Sequence, residues 1–239
     1  MTSTELDRPD VVEYAEGRPV DVHRPPAGTA GPVPVVLLWH GRGPDERDVL
    51  RPLAREAAGH GLLVFVPDWR SDREDGGRAE LLASLAHARE TAARFGGDPN
   101  RLVLAGWSMG GREAVAVAID PATPAGPRPV AAVGISSSYA RPAVTNGVVP
   151  VELLAEAPSP VPLWLVHGTE DDVLGPAHTR ALADVATSAE VLELPTDHAG
   201  VVMTEYSPEA QRCLPATAEN ALDAGRRVAA VLAEAAGLS

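Results

Sequence analysis

The stretch AGWSMGG, residues 105–111, sets Ser108 two positions after Gly106 and two before Gly110. A serine hydroxyl is a weak nucleophile near neutral pH and reacts only when a base takes its proton. A sharp strand-to-helix turn can lift such a hydroxyl clear of the backbone, and glycines let the two elements come close there. The G-x-S-x-G pattern alone is weak, since a chain of this size holds roughly 0.1 such matches by chance. Its flanks strengthen it. The apolar run RLVLA from Arg101 precedes it and the helical run GREAVAVAI follows, which is the context of a nucleophile elbow. The N–H of Met109, at the helix start, is then expected to face developing negative charge as half of an oxyanion hole. The structural rival is a phosphate-binding turn, but this chain has no lysine and no G-x-x-x-x-G-K-[ST] run.

The second half of the hole is expected from LLWHGRG, where an HG pair follows an apolar strand. The N–H of Arg42 is the expected donor, with Gly41 as the rival, and the His40 side chain is expected to bond neighbouring loops. The serine also needs a histidine as base, and a carboxylate to fix that histidine's tautomer. When the order is Ser, acid, His, three histidines qualify: His167, His178 and His198. His167 ends a strand and His178 sits in a helical run. His198, in the loop LPTDHAGVV after the last apolar strand, is the expected base. The acid lies in HGTEDDVLGP, where Glu170, Asp171 and Asp172 are all available and periodicity does not choose among them. Asp171 is preferred, with Asp172 as runner-up. Trp69, Arg70, Trp107 and Tyr139, together with Gly41, are expected near the substrate because they lie close to strand ends.

These residues must be positioned by a scaffold. Apolar runs begin at residues 11, 19, 35, 62, 101, 130, 163 and 191, and the first two flank Gly17 like the arms of a hairpin. VVLLW and LLVFV are apolar throughout, as in strands covered on both faces. Helical patterns occupy about 48–60, 78–95, 108–119, 176–187 and 218–236. The alternation implies an α/β fold: a mostly parallel eight-stranded sheet with an N-terminal antiparallel hairpin and helices on both faces. The whole chain, 1–239, reads as one domain, and residues 137–162 as a short lid or surface loop, helical only around PVELLAEAP.

Composition excludes some function classes. The net charge is −13, which opposes binding to nucleic acid or to anionic membrane surfaces. The single cysteine, Cys213, leaves no disulfide and no thiolate metal cluster. The acidic stretch DWRSDRED, 68–75, lacks an ordered cation-ligand spacing. No metal and no cofactor is expected. A polar, acidic start and the lack of a long apolar run suggest a soluble, cytoplasmic protein.

With these residues in hand, the chain resembles the α/β-hydrolase superfamily over nearly its full length. FGGDPNRLVLAGWSMGG (95–111) looks like the strand–elbow segment of small bacterial carboxylesterases, and WHGRG is similar to their HGxG oxyanion loop. FVPDWRSD is similar to the D-Y-R of acetyl-esterase and feruloyl-esterase relatives, and HGTEDDVL to the family's H-G-x-x-D-x-x-V, which places the acid at Asp171. Lack of a large lid is similar to dienelactone-hydrolase-like members, which commonly use cysteine where this chain has Ser108. Arg42 departs from the HGGG form of many relatives. It is expected either to exclude bulky acyl groups, to bind a substrate carboxylate, or to point to solvent. The resemblance implies hydrolysis of a small soluble ester through an acyl-enzyme, with no cofactor. Peptidase, lactonase, thioesterase and acyl-transfer activities share the same triad, and a non-catalytic ligand-binding protein on the same fold is the rival from another class. Spacing says nothing of the oligomeric state.

Overall fold

The computed structural model describes residues 8–123, 127–186 and 188–238. The expected helix end at Thr187 and the polar start, 1–7, lie outside the described residues. Strands β1 (Asp10–Ala15) and β2 (Arg18–His23) form the expected hairpin around Gly17, whose φ of 65° suits glycine. Next along the sheet come β4 (Leu63–Pro67), β3 (Val33–Trp39), β5 (Gly97–Trp107), β6 (Ala131–Ile135), β7 (Leu163–Gly168) and β8 (Glu190–Leu194). β2 runs antiparallel to β4, and every pairing from β4 to β8 is parallel.

The apolar strands are covered on both faces. Val36, Leu38, Val64, Val66 and Val103 pack with α1 (Arg47–Gly59) and α6 (Glu219–Ala235). Their neighbours Val35, Leu37, Leu63, Phe65 and Leu104 face the other way, toward α2 (Arg78–Thr91) and α3 (Met109–Ile119). Strand alternation thus feeds two cores from one apolar run, which is why these strands show no polar face. A third core gathers Val115 of α3, Leu165 of β7, Leu154 of α4 (Pro150–Glu156) and Leu182 of α5 (Ala177–Val185).

The eight expected strands are all present. A two-stranded antiparallel ribbon was not expected: β9 (Thr204–Ser207) and β10 (Arg212–Pro215), the latter carrying Cys213. Its sequences, TEYS and RCLP, are too short and too polar to signal a strand. The expected helix 78–95 divides into α2 and a turn of 3₁₀ helix, Ala92–Phe95, closed by Gly96 at φ 87°. No helix among the described residues is long and apolar enough to cross a membrane.

Burial leaves a titratable signature. His23 is buried on β2, its Nε2 has no hydrogen-bond partner among the described residues, and burial pushes its pKa down to about 4. His40, fully buried, is likewise pushed down to about 4. The unfolded chain therefore takes up protons below about 6.5 that the folded chain refuses until about 4. Stability is fully present above that window and falls as pH drops through it. We expect the urea midpoint to fall between pH 6.5 and 4, and His23→Gln to flatten that fall. An unchanged slope in the variant would remove His23 from the account.

Candidate active site

Ser108 is the single joint between β5 and α3. Its backbone lies at φ 54° and ψ −122°, a conformation that costs a side-chain-bearing residue on the order of 1–3 kcal/mol. The surroundings hold it there. Its N–H donates to the Ile135 carbonyl at 2.9 Å, and its carbonyl accepts from Gly111 N–H at 3.1 Å and from the Ser137 hydroxyl at 2.6 Å. The glycines are obligatory because backbones meet. A Cβ on Gly106 would lie 2.2 Å from the Gly110 carbonyl, and one on Gly110 would lie 2.4 Å from the carbonyl oxygens of Trp39 and His40. β3, β5 and α3 therefore touch at the base of this turn.

The HGRG loop sits directly beside it: a Cβ on Gly41 would lie 3.1 Å from Ser108 Cβ. No acceptor among the described residues takes the backbone N–H of Arg42 or of Met109. His40 bonds Gly41 O at 2.9 Å through Nδ1, accepts the Trp69 N–H at Nε2, and stacks on the Trp69 ring at 5.2 Å. Kept neutral by burial, it is a loop anchor, as its position suggests.

His198 lies in the loop after β8, and Asp197 shapes that turn by accepting the N–H groups of Ala199 and Gly200 at 3.2 and 2.7 Å. The Trp107 indole N–H donates to the His198 carbonyl at 2.9 Å, and the two rings lie 5.0 Å apart. His198 Nδ1 meets Asp171 Oδ2 at 2.7 Å. Of the three neighbouring carboxylates, Asp171 alone is buried, while Glu170 and Asp172 are exposed. Its Oδ1 accepts the N–H groups of Val173 and Leu174 at 3.0 and 2.8 Å. Burial opposes its charge, but hydrogen bonds from His167, His198 and Leu174 outweigh burial and hold its pKa well below the carboxylate range. No hydrogen bond from Ser108 Oγ is present among the described residues; such contacts are often loose before substrate binds.

Three residues outside the expected triad support this arrangement. His167 lies 3.3 Å from Asp171 through Nε2, which also bonds Leu174 O at 2.6 Å, while Nδ1 takes the Thr179 hydroxyl at 2.7 Å. It clamps the acid loop. Ser137 clamps the Ser108 carbonyl. Glu113, fully buried on α3, accepts the N–H groups of Val144 and Thr145 and the Thr145 hydroxyl, tying the loop before α4 to the helix that starts at the turn. Only Glu113 left a signal, a carboxylate inside an otherwise apolar helix.

A cavity of about 380 Å³ opens onto Ser108, with Met109, Arg42, Ser137 and Leu174 in its walls. Of the expected wall residues, Gly41 lies beside Ser108 and Trp107 beside His198, whereas Trp69, Arg70 and Tyr139 do not line this cavity. Trp69 is fully buried under Gly77 and against His40, and the Tyr139 phenol is buried beneath Gly134. Arg70 pairs with Asp72, and Trp107 is engaged with His198. Closeness to a strand end fixes where a side chain starts, but local packing decides where it points. The 68–75 stretch is occupied internally: Asp68 pairs with Arg18 at 2.8 Å, and Asp75 caps α2 by accepting Gly77 and Ala79 N–H. His40, Asp45 and Asp68 bring one donor atom each within 4.8 Å, but Arg47 pairs with Asp45 and Arg18 with Asp68. Arginines already supply the positive charge that a cation would bring.

No family model matches the chain. Esterase 2 of Thermogutta terrifontis, phosphoramylated by tabun, superimposes with a TM-score of 0.74 at 16% identity, covering 100% of this chain and 98% of that one. Its propionate-bound form, a thermophilic esterase from a planctomycete, gives 0.71 at 18% identity, covering 98% and 96%. The chain has the α/β-hydrolase fold. In that fold the turn at Ser108, the acid loop after β7 and the histidine loop after β8 all gather at the carboxyl ends of the parallel strands, where open α/β sheets place their ligands. Two curated relatives, the carboxylesterase NlhH of Mycobacterium tuberculosis strains CDC 1551 / Oshkosh and ATCC 25618 / H37Rv, are 37% identical over 99 residues. The match spans 39% of this chain and 31% of each relative.

The backbone contacts give a stability test. Gly110→Ala is expected to cost on the order of 3 kcal/mol, because the atoms it meets are backbone. Gly59→Ala, with nothing within 4 Å of the added methyl, is expected to be neutral or slightly stabilising. Urea unfolding compares the two, and equal midpoints would contradict the tight turn.

Proposed function

We propose that the chain is a serine hydrolase of small carboxylic esters working through an acyl-enzyme. The observation that carries this is the buried Asp171 closed on His198 at 2.7 Å, with the His198 carbonyl bonded by Trp107, the residue before a serine held in a strained turn at a cavity. Ser108 Oγ attacks the acyl carbon as His198 Nε2 takes its proton. Asp171 accepts the Nδ1–H and stabilises the imidazolium. The free N–H groups of Arg42 and Met109 receive the oxyanion, each lowering the barrier by on the order of 3 kcal/mol. His198 then protonates the leaving alcohol and afterwards activates the water that releases the acid. These steps need no cofactor.

The carboxylesterase relatives, and the esterase structures bearing tabun or paraoxon adducts, favour an ester over an amide as substrate. Residues 137–162 contribute Ser137 and Arg141 to the cavity wall and are tied to α3 through Glu113 and Asn146. In this reading the segment is a fixed wall of the site. A cavity of about 380 Å³ suits a small substrate.

Ser108→Ala is expected to lose 4-nitrophenyl acetate hydrolysis down to the buffer rate. Asp171→Asn is expected to lower kcat by about 10³-fold or more, and Asp172→Asn by less than about threefold because residue 172 is exposed. Full activity in Ser108→Ala would sink the assignment. A larger loss at 172 than at 171 would move the acid by one residue.

A further inference from the structure

The wall of the cavity at Ser108 has a charge opposite to that of the chain. The sequence carries 33 Asp and Glu against 20 basic residues, yet three arginines, Arg42, Arg112 and Arg141, line this cavity together with His178, and no carboxylate does. Of the acids beside this wall, Asp171 is buried and committed to His198 and His167, and Glu113 is buried and bonded to Arg112, Val144 and Thr145. Most arginines elsewhere are paired, as Arg18, Arg47, Arg180 and Arg226 are. Arg42 and Arg141, like Arg227 elsewhere, are exposed with no hydrogen bond or ion pair among the described residues, but these two face the same cavity. Arg112 bonds Glu113, an acceptor already shared with the N–H groups of Val144 and Thr145. Two further clefts, near Trp164 and near His23, hold no serine or cysteine among the described residues.

Unpaired cations facing one cavity repel one another, and abundant acids elsewhere in the chain could have neutralised them. Their retention around the reactive serine makes sense when the missing partner arrives with the substrate. A guanidinium binds a carboxylate through two parallel hydrogen bonds, which adds orientation to attraction. Cavity walls also focus the field of like charges and raise the local concentration of an anion, even when the net charge of the chain repels it. Arg42 stands on the loop beside Ser108, and Arg141 on the segment after β6, in the wall of the same cavity. A carboxylate held between them would fix the scissile carbonyl relative to Ser108.

Building on the proposed hydrolase reading, we infer that the physiological substrate is an ester that carries a free carboxylate. Two matched pairs test this. One is mono-4-nitrophenyl adipate against its methyl ester, with the charge on the acyl side. The other is 4-acetoxybenzoate against methyl 4-acetoxybenzoate, with the charge on the alcohol side. In at least one pair kcat/KM is expected to favour the anion by about tenfold or more. That ratio is expected to fall at least fivefold in Arg141→Gln, to fall further in Arg42→Gln/Arg141→Gln, and to shrink in 0.5 M NaCl. Hydrolysis of the neutral esters with no anion preference in either pair would overturn the substrate class and leave the hydrolase reading standing. A preference that survives in the double variant would also overturn it. No turnover of any of the four esters would overturn both.

Discussion

The site depends on one close approach. Trp39 at the end of β3, His40 just after it, Gly106 of β5 and Gly110 of α3 bring their backbones so near that no Cβ fits between them. That contact forces the chain through Ser108 in a conformation that a serine adopts only under constraint. It also sets the HGRG loop beside the same residue. A strained serine and two free N–H groups are thus consequences of packing, fixed before any substrate arrives. Preorganisation of this kind is what makes electrostatic stabilisation effective, since nothing has to reorient during the reaction.

The histidine and the acid are held by a second set of contacts that shares members with the first. Trp107 belongs to the turn, yet its indole N–H fixes the carbonyl of His198. Gly168 lets the acid loop approach the histidine loop, since a Cβ there would lie 2.4 Å from the Thr196 carbonyl. His167 then ties Asp171 to Leu174 and, through Thr179, to α5. The cost of burying a carboxylate is offset by bonds that only the ionised form accepts, so Asp171 stays charged beside His198.

Much of this was legible in the sequence, for identifiable reasons. The sheet was readable because strands covered on both faces are apolar throughout, and the hairpin because Gly17 separates two short runs. Ser108 and His198 were readable because a turn between a strand and a helix, and a loop after the last strand, are local features. Asp171 against Asp172 was different. Spacing does not distinguish neighbours, and the resemblance to α/β-hydrolases favoured 171. In the structure, Asp171 Oδ1 accepts two backbone N–H groups and its Oδ2 meets His198, which supports 171 as the proposed acid. The cavity walls were not readable. Trp69 and Tyr139 begin at strand ends but turn into cores, whereas Arg112 and Arg141 line the cavity from a helix and a loop. β9 and β10 left no pattern because four residues are too few to show a period. The clamps by Ser137 and His167 are tertiary contacts without a local signature.

The central claim is that Ser108 is a nucleophile activated by the His198–Asp171 pair. Reaction of the folded protein with a fluorophosphonate, followed by intact mass and peptide mapping, tests it most directly. The account predicts a single adduct on Ser108, lost in Ser108→Ala and formed far more slowly in His198→Ala. An adduct on another residue, no adduct on folded protein, or an unchanged rate in His198→Ala would contradict it.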